Sequence, residues 1–216
     1  MTVVPFSQLL RERTWSNHSD SEGADFMSDL MSGTGTREDY VALVAQHHFI
    51  YAALESAAER FVEDPTAAAF ITPQLARVPA LEADLDFLIG AHWRESIIAV
   101  PTTERYVERI EQIAADDWVG GFIAHHYTRY LGDLSGGQHI SKLMKRQFGF
   151  ETDGVSFYRF DKIANPTEFK NAYREQLDAL GWDAAERERV IEEVVRAYRF
   201  NTELFVDLSN AKATAS

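Results

Sequence analysis

Apolar residues along the 216-residue chain recur at three- and four-residue steps almost from end to end, the period of a helix with one buried face. Tyr40, Leu43, Val44, His47, Tyr51, Leu54 and Ala58 form one stripe. Leu81, Leu85, Leu88 and Ile89 form a second, and Val190, Ile191, Val194, Val195, Tyr198, Leu204 and Phe205 a third. Strand-like alternation is nearly absent. Asp64-Pro65, Thr72-Pro73 and Asn165-Pro166 each set a capping side chain ahead of a proline, whose missing N–H costs nothing in a first helical turn. Thr36 with Asp39, and Asp183 with Glu186, have the spacing of a capping box or a close variant. The pattern predicts helices near 6–19, 24–32, 37–62, 74–89, 102–115, 119–148, 166–179 and 184–208, and leaves 149–164 without a clear period. No repeat or low-complexity linker divides the chain. One all-α domain over 1–210 with a polar tail, 211–216, is the economical reading.

Composition narrows the chemistry. The chain has no cysteine, which removes disulfide scaffolds, Cys-ligated metal sites and any thiol nucleophile. The net charge of −13 argues against general nucleic-acid binding. No apolar run approaches the roughly 18 residues of a membrane span. The start, MTVVPFSQLLRER, lacks the basic leader and apolar stretch of a secretory signal, so a cytoplasmic protein without a membrane anchor is expected. Spacing removes more. No histidine has Glu three residues before it, no two histidines sit four apart, and Gly33-Thr34-Gly35 lacks both a third glycine and a preceding strand. Gly132-Asp133-Leu134-Ser135-Gly136 has neither the spacing nor the strand context of a nucleophile elbow.

The stretch HHYTRYLGDLSGGQ, residues 125–138, resists a purely structural account. Helical sequence flanks it on both sides, yet it carries Gly132, Gly136 and Gly137. Each interior glycine costs a helix about 1 kcal/mol relative to alanine. The glycines either break or tightly pack a helix, or they let its backbone approach a flat ligand. Gly132 and Gly136 lie one turn apart and share a face, so a kinked helix could rest there against a planar ring. Arg129 and Asp133, at the same spacing, could pair on that face. Asp133 beside a glycine window could organise water and relay protons to something bound in the gap. A flat ligand carrying a metal needs an axial ligand from the other side. Of the seven histidines, His18 stands out: it continues the Leu10, Thr14 steps of the first amphipathic helix, and Glu22 one turn on could polarise it. His47, on an apolar stripe, reads as core.

These residues resemble the heme oxygenases, most closely those of bacteria. The segment from Tyr127 to Gln138 looks like the family's distal-helix signature. His18, Glu22 and Phe26-Met27 look like its proximal segment, Tyr51 to Glu55 falls on its third-helix pattern, Phe169-Lys170 with Tyr173-Arg174 is similar to its propionate-holding helix, and Phe200-Asn201 with Leu204-Phe205 to its last helix. The pieces occur in family order over about 11–205. The resemblance implies a single-domain helical bundle holding heme between the N-terminal proximal helix and a Gly-kinked distal helix. It implies O2- and electron-dependent opening of heme, both cofactor and substrate, to biliverdin, carbon monoxide and ferrous iron. His18 would bind the iron with Glu22 nearby. Gly132 and Gly136 would steer oxygen along the ring. Asp133 would hold a proton-delivering water network with Tyr51, Arg129 and Asn201. Arg11, Lys170, Arg174 and the Tyr127 hydroxyl would hold the propionates, which implies the α isomer of biliverdin.

The electrons must come from an external reductase, ferredoxin or flavodoxin-like donor. Lys142, Lys145 and Arg146, locally basic on an acidic chain, are the expected landing place, and an exposed amphipathic face is the competing reading. A monomer working in iron acquisition is expected. A non-catalytic heme-binding protein on the same fold remains the alternative. A thiaminase-like hydrolase would need the cysteine this chain lacks.

Overall fold

The computed structural model of the chain describes residues 4–22 and 25–215, with side chains other than those of 19–22 and 215. Its helices are α1 (Phe6–Glu22), α2 (Asp25–Ser32), α3 (Arg37–Phe61), α4 (Val78–Ile89), α5 (Trp93–Ser96), α6 (Pro101–Ala115), α7 (Val119–His126), α8 (Gly132–Phe148), α9 (Pro166–Ala179) and α10 (Ala184–Ala215). Short 3-10 turns lie at Ala67–Ala69 and Ser156–Tyr158, and no strand forms among the described residues. No described helix is long and apolar enough to cross a membrane.

Caps start the helices largely where the sequence places them. Thr36 Oγ1 accepts from the Asp39 amide at 3.1 Å and Asp39 returns the bond to the Thr36 amide at 2.8 Å, closing the box at the head of α3. Asn165 accepts from the Thr167 and Glu168 amides ahead of Pro166. The third predicted start moves: α4 begins at Val78, not near 74, because Pro79 has no N–H to donate and so suits a first turn, and Glu55 takes the Arg77 and Val78 amides. The Asp64-Pro65 cap heads only the short turn at Ala67–Ala69, with Asp64 Oδ1 accepting from the Thr66 and Ala67 amides. At the far end, the segment read as a polar tail continues α10 as far as Ala215, and Lys212 donates to Asp39 at 2.8 Å.

Burying the apolar stripes of α3, α4, α6, α7 and α10 makes one main core, to which α1 adds Phe6 and Leu10 on the α10 side. The long α10 runs as a spine against α1, α2, α6 and α7. Ser7 donates from its amide and hydroxyl to Asp178 on α9, at 2.7 and 2.9 Å, and Arg13 pairs with Glu188 on α10 at 2.7 Å. These two ties fix the azimuth of α1 and so of its last turns. The aperiodic segment 149–164 is not a loose loop. Asp84 accepts from the Ser156 and Phe157 amides, Tyr40 donates to the Gly154 carbonyl, and Phe157 and Tyr158 are buried in the main core.

Three imidazoles are buried: His47, His125 and His126. Burial pushes His126 down to about 3, lowers His125 despite its contact with Glu193 at 2.9 Å, and holds His47 well below the ordinary range. The unfolded chain therefore binds these protons first. The stability they contribute is full above an unfolded histidine value of about 6.5 and is lost as pH falls from there toward the folded values. Each such group adds a slope approaching about 1.4 kcal/mol per pH unit. Urea denaturation at about pH 7 and about pH 5 checks this: the midpoint is expected to drop clearly, and a flat midpoint would mean the rings are wet.

Candidate active site

The last turns of α1 form one wall of a cleft. Phe6, Leu10 and Thr14 are buried at four-residue steps, so His18, the next step, projects from the same face. Its ring lies parallel to Trp15, 5.9 Å away, and edge-on to Tyr198 of α10, 5.6 Å away. The expected polarising residue Glu22 has its side chain outside the described residues.

The opposite wall is the start of α8. A Cβ placed on Gly132 or Gly136 meets nothing within 4 Å, whereas one on Gly137 would lie 2.7 Å from Tyr158 Cδ1. The three glycines thus divide between the two readings open to the sequence. Gly137 permits close packing. Gly132 and Gly136 present bare backbone to the cleft, and His18 and Gly132 border both of its cavities. The deformation expected at these glycines lies just ahead of them instead. Tyr127–Leu131 is a π-turn, and Gly132 itself has ordinary helical angles, φ −60° and ψ −53°. The single helix expected over 119–148 is therefore α7, a π-turn and α8.

That wider turn explains a second difference. In a regular helix Arg129 and Asp133 would sit one above the other. Here Arg129 Nη1 donates to Asn201 Oδ1 at 3.0 Å, and Asp133 accepts instead from the Tyr51 hydroxyl. The Arg129 guanidinium stacks on the Tyr51 ring, 5.1 Å from its centroid, which closes the set. All four predicted polar residues are thereby joined, through contacts between α3, the π-turn, α8 and α10. Burial raises Asp133 above the usual carboxylate range, while the Arg129 charge and the Tyr51 hydroxyl oppose the rise. Burial also holds Tyr51 far above its ordinary value, with Asp133 adding to it, so Tyr51 keeps its proton and donates it to Asp133. For Arg129, burial acts downward, but the acidic groups of Tyr51 and Asp133 outweigh it and the cation is reinforced.

The mouth is basic. Arg11, Arg174 and Tyr127 line it together with Trp15 and Ser135. Lys170 Nζ donates to Ser135 Oγ at 3.0 Å, and Arg174 Nη1 to Asn171 at 3.2 Å. Burial raises the Tyr127 hydroxyl, and the charges of Arg174 and Arg11 oppose it, which places both cations near that ring. Burial lowers the Lys170 ammonium, and nearby Arg174 lowers it further. Such a set of cations and a hydroxyl is chemically suited to an anion. Behind them the inner cleft adds Met27, Leu43, Ile140 and Phe205, a mostly apolar lining. The inner cavity measures about 140 Å³ and the adjoining one at the mouth about 190 Å³.

Tyr158, Trp15 and His47 are among the cleft residues that the sequence does not single out for chemistry. Tyr158 arrives from the aperiodic segment, where no pattern signals it. Trp15 faces solvent, and His47 was read as core, yet both line the cleft. Among the described residues no three of His, Asp and Glu converge to hold a bare metal ion. A flat wall, one imidazole opposite it, apolar sides and a cationic mouth fit an amphipathic planar group with carboxylates at one edge.

Known proteins share this sequence pattern and fold. The family model for heme oxygenase matches residues 4–207, and the chain belongs to the heme oxygenase family. It is 38% identical over 205 residues to heme oxygenase 1 of Homo sapiens, covering 94% of this chain and 71% of that protein. It is 35% identical over 205 residues to heme oxygenase 1 of Synechocystis sp., covering 95% and 85%. The crystal structure of the cyanobacterial heme oxygenase-1 in complex with heme superposes with a TM-score of 0.92 at 34% identity, covering 98% of this chain and 96% of that one. The heme oxygenase of Leptospira interrogans follows at 0.88 and 30%, covering 94% and 98%. The family activity, oxidative cleavage of heme to biliverdin, is an oxidoreductase chemistry.

Proposed function

We propose that this chain binds heme in the cleft between α1 and α8 and opens it to biliverdin, carbon monoxide and ferrous iron. The observation that carries the reading is the joined set Tyr51, Asp133, Arg129 and Asn201 beside two bare glycines, across the cleft from His18. Bound heme supplies the iron that activates oxygen and the ring that is cut. The protein does the rest. His18 would offer a ring nitrogen to the iron. Gly132 and Gly136 confine the space on the far face, where a side chain would fill it. Asp133, fixed by Tyr51, holds water close to that face and passes protons to it, and Arg129 with Asn201 keeps the carboxylate in a polar frame. Arg11, Lys170, Arg174 and Tyr127 take the propionates, which sets the ring orientation and favours the α isomer.

Electrons come from a separate donor protein, a reductase or an acidic ferredoxin or flavodoxin-like partner. Lys142 and Lys145 line a groove with Arg159 on the outer side of α8, and Arg146 is exposed beside it, a surface complementary to an acidic donor. Release of ferrous iron makes iron supply the role we infer.

One experiment tests these points together: hemin titration of the purified protein, then a donor and air, with the visible spectrum followed throughout. A one-to-one histidine-ligated complex that converts to biliverdin IXα is expected, more slowly at high salt when the donor is a protein. A stable complex under a competent donor would establish a binding protein instead. A β or δ product would overturn the Lys170 and Arg174 assignment.

A further inference from the structure

His47 lies one turn before Tyr51 on α3 and lines the same cavity. The ring is 6% exposed and packs on Phe157, with centroids 5.0 Å apart. Its Nδ1 has no hydrogen-bond partner in the protein, and neither have Nε and Nη2 of Arg129 or the hydroxyl of Tyr158. All three side chains line one cavity together with Asp133 and Asn201. A buried polar atom without a partner is costly, and an apolar side chain at position 47 would avoid that cost. The four atoms belong to side chains that border one cavity, which points to a polar occupant shared among them once the side chains adjust to it. The donor inventory is complementary. Arg129 has only donors to offer, Tyr158 has a hydroxyl, and a neutral imidazole has one ring nitrogen free to accept. Burial, aided by the Arg129 charge, holds His47 well below the ordinary imidazole range, so that acceptor persists at neutral pH. The cavity is far larger than the roughly 30 Å³ a water occupies.

We propose that His47 is a positioning residue for heme cleavage: its Nδ1, with Arg129 and Tyr158, holds a buried water that extends the Tyr51–Asp133–Arg129–Asn201 set and orients proton delivery. This rests on the heme-cleaving reading above. His47 sits on α3, whereas the anion anchors Arg11, Lys170 and Arg174 sit on α1 and α9, so its effect falls on how efficiently electrons become product more than on substrate affinity.

The test compares three variants by biliverdin formed per electron pair consumed, with hemin affinity measured alongside. His47→Leu is expected to lower the yield roughly 2- to 10-fold, the range of one lost neutral hydrogen bond, at unchanged affinity. His47→Asn, whose amide falls where Nδ1 sits, is expected to restore it. His47→Gln, whose amide falls at Nε2, is not. Wild-type yield in the leucine variant overturns the proposal, as does rescue by glutamine in place of asparagine. If the leucine variant does not fold, the asparagine and glutamine variants decide between themselves, and equal yields overturn it. Nitrogen NMR of the heme-free protein gives a readout independent of turnover. A hydrogen-bonded Nδ1 is expected, and a bare one overturns the proposal. Wild-type protein that binds hemin without making biliverdin refutes the enzymatic reading separately.

Discussion

Replacing His18 with alanine is expected to leave the fold intact and to cut biliverdin formation by at least about 100-fold, more than loss of a supporting group around a metal ligand costs. The fold should survive because α1 is held elsewhere. Phe6, Leu10 and Thr14 bury its inner face, Asp178 accepts from Ser7, and Arg13 pairs with Glu188. The His18 ring stacks on Trp15 and meets Tyr198 edge-on at the border of that packing. Its removal therefore isolates a chemical role. The spectrum of the hemin complex should change from histidine-ligated to weakly ligated, and added imidazole should recover part of it. The measurement is the visible spectrum together with single-turnover biliverdin formation. Full turnover in the variant would mean that another residue faces the iron.

Asp133→Ala has the second large effect, of a different kind. Hemin affinity is expected to stay near that of the wild type, because the anchors Arg11, Lys170 and Arg174 and the imidazole of His18 are untouched. Biliverdin formation is expected to fall about 10²- to 10⁴-fold, the usual span for losing a positioned proton-handling group. Alanine leaves the Tyr51 hydroxyl without its acceptor and strips the Arg129 cation of the carboxylate that reinforces it. Electrons should then leak to peroxide or to peroxidase-like oxidation of added phenols. Asp133→Asn, which keeps an acceptor for Tyr51, should fall less. Hemin affinity and biliverdin yield per electron pair, measured side by side, separate this outcome from simple loss of binding. An alanine variant that makes biliverdin at the normal rate would remove Asp133 from proton delivery.

Much of this site could be read from the chain because its parts follow local rules. His18 could be placed from Leu10 and Thr14 by the helical step alone. The open faces of Gly132 and Gly136 follow from their four-residue spacing, and the α3 cap from Thr36 and Asp39. What stayed hidden depends on long-range packing. Tyr158 reaches the cleft because Asp84, on a distant helix, captures the Ser156 and Phe157 amides. The start of α4 shifts because Glu55, more than 20 positions earlier, binds the Arg77 amide. The apolar stripe located His47 correctly inside the protein, but periodicity reports burial and says nothing of whether a buried nitrogen finds a partner. The π-turn is masked in the hydrophobic period because it shifts the phase by a single residue while α7 and α8 each keep a regular apolar stripe.

That turn also makes the site a matter of counting. Successive residues of a helix differ in direction by about 100°, so one residue more or fewer between α7 and α8 swings everything beyond it by that angle. A deletion within 127–131 that restored a regular helix would improve backbone hydrogen bonding and still send Asp133 and the bare glycines away from Tyr51 and His18. The phase of α8 against α3 is thus stored in a length and not in any side chain. Substitutions along the π-turn leave that phase in place, whatever they do to the roles of Tyr127 and Arg129. A change of a single residue in its length does not.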